Sequence, residues 1–135
     1  MAEITAADVG KLREMTNAGL MNCKQALTEA KGDFDAAVDI LRKKGIATAA
    51  KKASREANEG VIAQSIQPGA RAGVLVELNC ETDFVARNES FRAFCDEVAR
   101  TLVANPQADL EPMRAAQVAK MGENIRIPRH HRRAV

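Results

Sequence analysis

Apolar residues recur at helical spacing through the opening part of the chain, shift to strand-like runs after Gly60, and return to helical spacing from Ser90. Thr5 with Asp8 forms a capping-box pattern. Val9, Leu12 and Met15 follow, and Thr16-Asn17-Ala18-Gly19 breaks that first helix. Asn22 is placed to cap a second helix, with Gln25 at the box position and Cys23, Ala26, Leu27 and Ala30 on one face, until Lys31-Gly32 ends it. Asp33 caps a third, in which Phe34, Val38 and Leu41 fall at i, i+4 and i+7, and Gly45 stands where a C-terminal cap belongs. Three helices this short make only a marginal core.

Residues 46–58 are rich in Ala and Lys and read as a helical or frayed linker, with Lys51, Lys52 and Arg55 solvated. Val61, Ile62 and Ile66, the turn signal Gln67-Pro68-Gly69-Ala70, and a second apolar run over 73–78 predict an antiparallel hairpin. Phe91, Phe94, Cys95, Val98 and Leu102 form the stripe of a helix that packs on that hairpin and stops at Asn105-Pro106. A weaker helix is expected over 110–121 and a strand over 123–127. The basic tail Pro128-Arg129-His130-His131-Arg132-Arg133 is expected to be mobile. The fold class is therefore α+β. A three-helix domain spans 1–48, a helical linker 49–58, and a hairpin-and-helix core 59–135.

Composition narrows the function. In 135 residues there is no Trp or Tyr and only four Phe, so aliphatic side chains supply the packing. A net charge of +2 argues against a dedicated nucleic-acid binder, and no specific nucleic-acid partner is expected. Cys23, Cys80 and Cys95 are odd in number and widely spaced, which fits reduced, buried thiols better than disulfides or a zinc site. Residues 1–8 carry no secretory pattern and no apolar run matches a membrane span, so a cytoplasmic protein without membrane contact is expected. His130 and His131, the only histidines, would point apart on an extended tail. With no nucleophile–base constellation and no phosphate-binding glycine loop, no enzyme, resident metal or cofactor is expected.

Glu77-Leu-Asn-Cys-Glu-Thr-Asp-Phe-Val-Ala-Arg87 carries the sharper signal. An apolar strand runs out into a polar turn holding one large hydrophobe, Phe84, beside Asp83. Burial of a Phe is worth roughly 1.5–3 kcal/mol. Phe84 therefore either folds back into the core or is offered to a partner. The Thr82-Asp83-Phe84-Val85 string closely resembles a signature of bacterial translation elongation factor Ts. The stretch from Leu12-Arg13-Glu14-Met15-Thr16 through Gly19-Leu20-Met21-Asn22-Cys23-Lys24-Gln25-Ala26-Leu27 is similar to that family's amino-terminal signature. Gly32-Asp33, Lys51-Lys52-Ala53, Glu59-Gly60-Val61 and Val118-Ala119-Lys120-Met121-Gly122-Glu123-Asn124-Ile125 extend the likeness to about Arg126.

The resemblance implies a ubiquitin-associated-like (UBA-like) three-helix domain followed by the first half of an α+β core. It also implies a guanine nucleotide exchange factor for the GTPase elongation factor Tu. By position, Leu12, Leu20 and Met21 would dock on the GTPase, while Thr82, Asp83, Phe84 and Val85 would intrude beside its bound magnesium and dislodge the ion. Asn17 and Asn22 stand where Gly and Asp are common in the family. Pro128 and His130-His131 replace an Arg-led strand, and the chain stops where the family continues. A fragment, a truncated product and a shortened paralogue all fit. Two other classes remain: a non-catalytic interaction module using the UBA-like domain, and a weak RNA-associated protein working through Lys51, Lys52, Arg55 and the tail.

Overall fold

The computed structural model describes residues 3–16 and 18–135, and its first helix begins from the anticipated reciprocal cap. Ahead of α1 (Ala6–Thr16), the Thr5 hydroxyl accepts from the Asp8 N–H at 3.1 Å, and the Asp8 carboxylate accepts from the Thr5 N–H at 3.1 Å. The Thr16 hydroxyl turns back to donate to the Leu12 carbonyl. Asn17, in the expected break, lies outside the described residues, as do Met1 and Ala2.

The second helix starts earlier than expected. In α2 (Leu20–Glu29) the N-cap is Gly19, whose extended backbone takes the cap geometry without a side-chain bond. Asn22 therefore lies inside the helix, and Gln25 accepts from Lys44 Nζ at 3.1 Å instead of closing a box. The Asp33 cap is present, with its carboxylate accepting from the Asp35 and Ala36 N–H groups. α3 (Phe34–Lys52) then runs straight through Gly45. A mid-helix Gly costs about 1 kcal/mol. Here it lies buried where the backbone of a later helix passes, its would-be Cβ 3.6 Å from the Ala115 carbonyl oxygen, and that packing holds the helix together.

The core follows the predicted hairpin. β1 (Glu59–Ile66) and β2 (Ala72–Cys80) pair antiparallel from Glu59↔Cys80 to Ile66↔Gly73, with a turn closed by the Ala70 N–H donating to the Gln67 carbonyl. A short helix, α4 (Asp83–Arg87), leads into α5 (Glu89–Ala104), whose Phe91, Phe94, Cys95, Val98 and Leu102 are all buried on the inner face of the sheet. α6 (Glu111–Met121) ends on Gly122 in the left-handed conformation.

The tail is not the mobile segment that was expected. Residues Arg126–Ala134 form β3, antiparallel to β2, so the sheet order is β1-β2-β3. The second edge of β2 would otherwise leave a row of backbone donors and acceptors unpaired. A strand rich in Arg and His satisfies them while presenting a charged outer edge. Pro128, which lacks an N–H, falls at the register shift between Glu77 and Asn79, where a missing donor is tolerated.

Two apolar clusters result. One holds Val9, Leu12, Cys23, Ala26, Leu27 and Ala37; the other is built on the inner faces of β2 and α5. α3 belongs to both, through Ala37 in the first and Ala49 in the second.

Candidate partner-binding site

β2 ends at Cys80, and the chain turns through Glu81 and Thr82 into the single turn of α4. Thr82 is the N-cap, its hydroxyl accepting from the Val85 N–H at 3.4 Å. Asn88 closes α4 and opens α5, its side-chain oxygen accepting from the Ser90 and Phe91 N–H groups. Arg92 Nε donates to the Ala86 carbonyl at 2.7 Å, which satisfies the end of the short helix. Val85 packs on the core and Ala86 is buried, so α4 is pinned on one side.

The other side of α4 faces solvent. Phe84 is 83% exposed, and Asp83 beside it is exposed and pairs with Arg87 at 3.4 Å. Of the two roles open to Phe84, the structure assigns none to the chain's own core. Phe91 and Phe94, by contrast, are buried with ring centroids 6.4 Å apart. Neither of two surface grooves, of about 500 and 460 Å³, is lined by Phe84. The feature is a projection rather than a cavity.

Three segments meet beneath that projection, an arrangement that sequence reasoning missed. One Glu123 carboxylate oxygen accepts from the N–H groups of Glu81 and Thr82, both at 3.1 Å, and the other accepts from the Thr82 hydroxyl at 2.6 Å. In return, Glu81 accepts from the Asn124 N–H at 2.6 Å. Asn124, almost fully buried, donates through its side chain to the Arg55 carbonyl at 2.8 Å, just beyond α3. Arg55, expected to be merely solvated, also pairs with Glu81 at 3.7 Å. Nothing local signals the pairing: Glu81 lies just past the second apolar run and Glu123 opens the expected strand over 123–127.

The thiols are quiet. All three cysteines are free and buried. Burial, and secondarily the charge of Glu123, pushes the Cys80 thiol up to about 11, while burial pushes Cys95 up to about 12. Both stay protonated at neutral pH, and Cys80 donates its S–H to the Thr82 carbonyl at 3.2 Å. Among the described residues no group of three or more His, Cys, Asp or Glu is placed to hold a metal ion, and no helix is long and apolar enough to cross a membrane.

The residues expected to dock divide. Leu20 is 52% and Met21 65% exposed at the start of α2, and Met15 at the end of α1 is exposed as well. Leu12 is fully buried in the three-helix cluster and presents no surface to a partner; packing is the role it fills.

Fold and site together define an α+β protein in which a small helical unit precedes a three-stranded core that carries an apolar projection on a short helix. Elongation factor Ts of Symbiobacterium thermophilum is 55% identical over 139 aligned positions, covering 98% of this chain and 46% of the relative. Its counterpart from Photorhabdus laumondii is 52% identical, covering 96% and 48%, and that from Geobacter sulfurreducens is 58% identical over 105 positions, covering 77% and 49%. The family model described as elongation factor TS matches residues 81–135. Over nearly its whole length the chain is similar to members of the elongation factor Ts family. It spans about half the length of the curated relatives it matches.

Proposed function

We propose that the chain acts in translation elongation, in the cytoplasm, as a guanine nucleotide exchange factor for elongation factor Tu. It would perform no covalent chemistry itself. Leu20 and Met21, with Met15 exposed at the end of α1, would dock on the GTPase, while Asp83 and Phe84 press against the surroundings of its bound magnesium. The exposure of Phe84 on a pinned turn is the observation that carries this reading. A folded chain gains nothing by holding a Phe in water, whereas a partner that covers it recovers roughly 1.5–3 kcal/mol.

The chemistry suits the residues. Mg²⁺ requires near-ideal octahedral coordination, so a small displacement of its neighbours weakens it sharply. Phe84 supplies bulk and Asp83 a negative charge near phosphate. Coupling is reciprocal: a factor that weakens GDP binding is itself weakened by GDP to the same degree. A thousandfold faster release needs about 4 kcal/mol off the barrier, more than one side chain provides. Docking through the helical unit must hold the wedge in place.

The test is the release rate of fluorescent GDP from elongation factor Tu with this chain added, beside Phe84→Ala. Acceleration by the unaltered chain that the variant loses is expected. Because Phe84 is exposed, the variant should keep its stability to within about 0.5 kcal/mol. The exposed Met15, Leu20 and Met21 also favour a second reading, a non-catalytic interaction module. On that reading the variant binds and behaves like the parent.

A further inference from the structure

We infer that Glu123 is the positioning residue of the Asp83–Phe84 projection. The functional half of this inference rests on the exchange reading above; the structural half stands without it. α4 has five residues, and a single turn does not hold itself together, because helix nucleation is unfavourable. Its start depends on Thr82. Every polar group of Thr82 is engaged: its N–H and hydroxyl proton go to Glu123, its carbonyl takes the Cys80 S–H, and its hydroxyl oxygen caps Val85.

The direction of these bonds matters. An ionised carboxylate can only accept, so Glu123 fixes where the Thr82 hydroxyl proton points. That leaves a lone pair of the same oxygen facing the Val85 N–H. Three donors converge on one carboxylate, and bonds to a charged acceptor are shorter and stronger than neutral ones. The return bond from the Asn124 N–H to Glu81 ties the two segments in both directions. Asn124 extends the tie to the carbonyl of Arg55. Glu123 thus sets the angle at which β2 hands the chain to α4, from a loop far away in sequence, without itself standing on the projecting face.

Two measurements test this: backbone amide hydrogen exchange on the full chain, and GDP release from elongation factor Tu across a range of chain concentrations. In Glu123→Ala, exchange at Glu81, Thr82 and Val85 should rise on the order of ten- to a hundredfold, with the Val74 and Val76 amides unchanged. Its maximal stimulated release rate should fall toward that of Phe84→Ala, with the half-saturating concentration little altered, because Leu20 and Met21 are untouched. Glu123→Gln keeps one carbonyl acceptor for the two amides but sets an N–H group against the Thr82 hydroxyl. It should restore protection at Glu81 and Thr82 and leave Val85 fast, and it serves as the reference if the Ala variant does not fold. Unchanged exchange at these amides in a folded variant overturns the inference. So does a defect seen only as a higher half-saturating concentration. If the unaltered chain does not stimulate release, the exchange reading fails and the amide data alone decide the role of Glu123.

Discussion

Phe84 and Phe91 are near neighbours in sequence with opposite fates, one exposed and one buried. The difference is made by Asn88, whose cap starts a new helix and resets the face that points inward. Gly60 is a second position where one residue decides local geometry. It has φ +156°, and a Cβ there would stand 2.0 Å from the Leu78 carbonyl oxygen, which cannot move without opening the hairpin. Gly60→Ala should therefore destabilise the core by more than about 1 kcal/mol, read as a lower urea midpoint; a midpoint equal to that of the parent would contradict the clash. At this scale local signals were informative but not infallible. The Thr5–Asp8 box and the Asp33 cap were legible, Asn22 was not the cap it resembled, and the Phe84 string marked a side chain that stands exposed. Glu123 was not legible, because its partners lie 41 and 42 residues away and nothing in its immediate neighbours announces them.

Elements were misjudged where tertiary contacts override local preference. Gly45 reads as a helix end, yet the approach of α6 carries α3 onward to Lys52. The basic tail reads as solvated chain, yet the open edge of β2 recruits it as β3. That pairing has a pH signature. The Arg129 guanidinium, with Asn79, holds the Glu77 carboxyl below its ordinary value of 4.5. A lowered carboxyl contributes stability above the unfolded value and loses it as pH falls through the folded one. Below pH 4.5, amide protection along β3 should therefore decline before that of β1, which has no such pair with β2. Equal loss along both edges during an acid titration followed by NMR would count against it.

For the whole molecule, the α+β class and the order helices, hairpin, helix were readable from periodicity alone, while the joining of the two clusters was not. On the proposed exchange reading, a chain that spans about half the length of its curated relatives should bury less surface against elongation factor Tu than they do. We expect binding at least about tenfold weaker than that of a full-length relative, about 1.4 kcal/mol, by titration calorimetry. Equal affinity would mean that the helical unit and α4 supply nearly all the contact energy. α3 gives this architecture a property that neither cluster has alone. Its 19 residues make a rod about 28 Å long that serves both, so the exposed start of α2 and the projection on α4 are set apart as on a vernier. One residue gained or lost within the rod would advance its far end by about 1.5 Å and turn it by about 100°. Reach and phase can therefore change only in coupled steps, and a surface that engages both ends at once is being gauged for one length and one angle together.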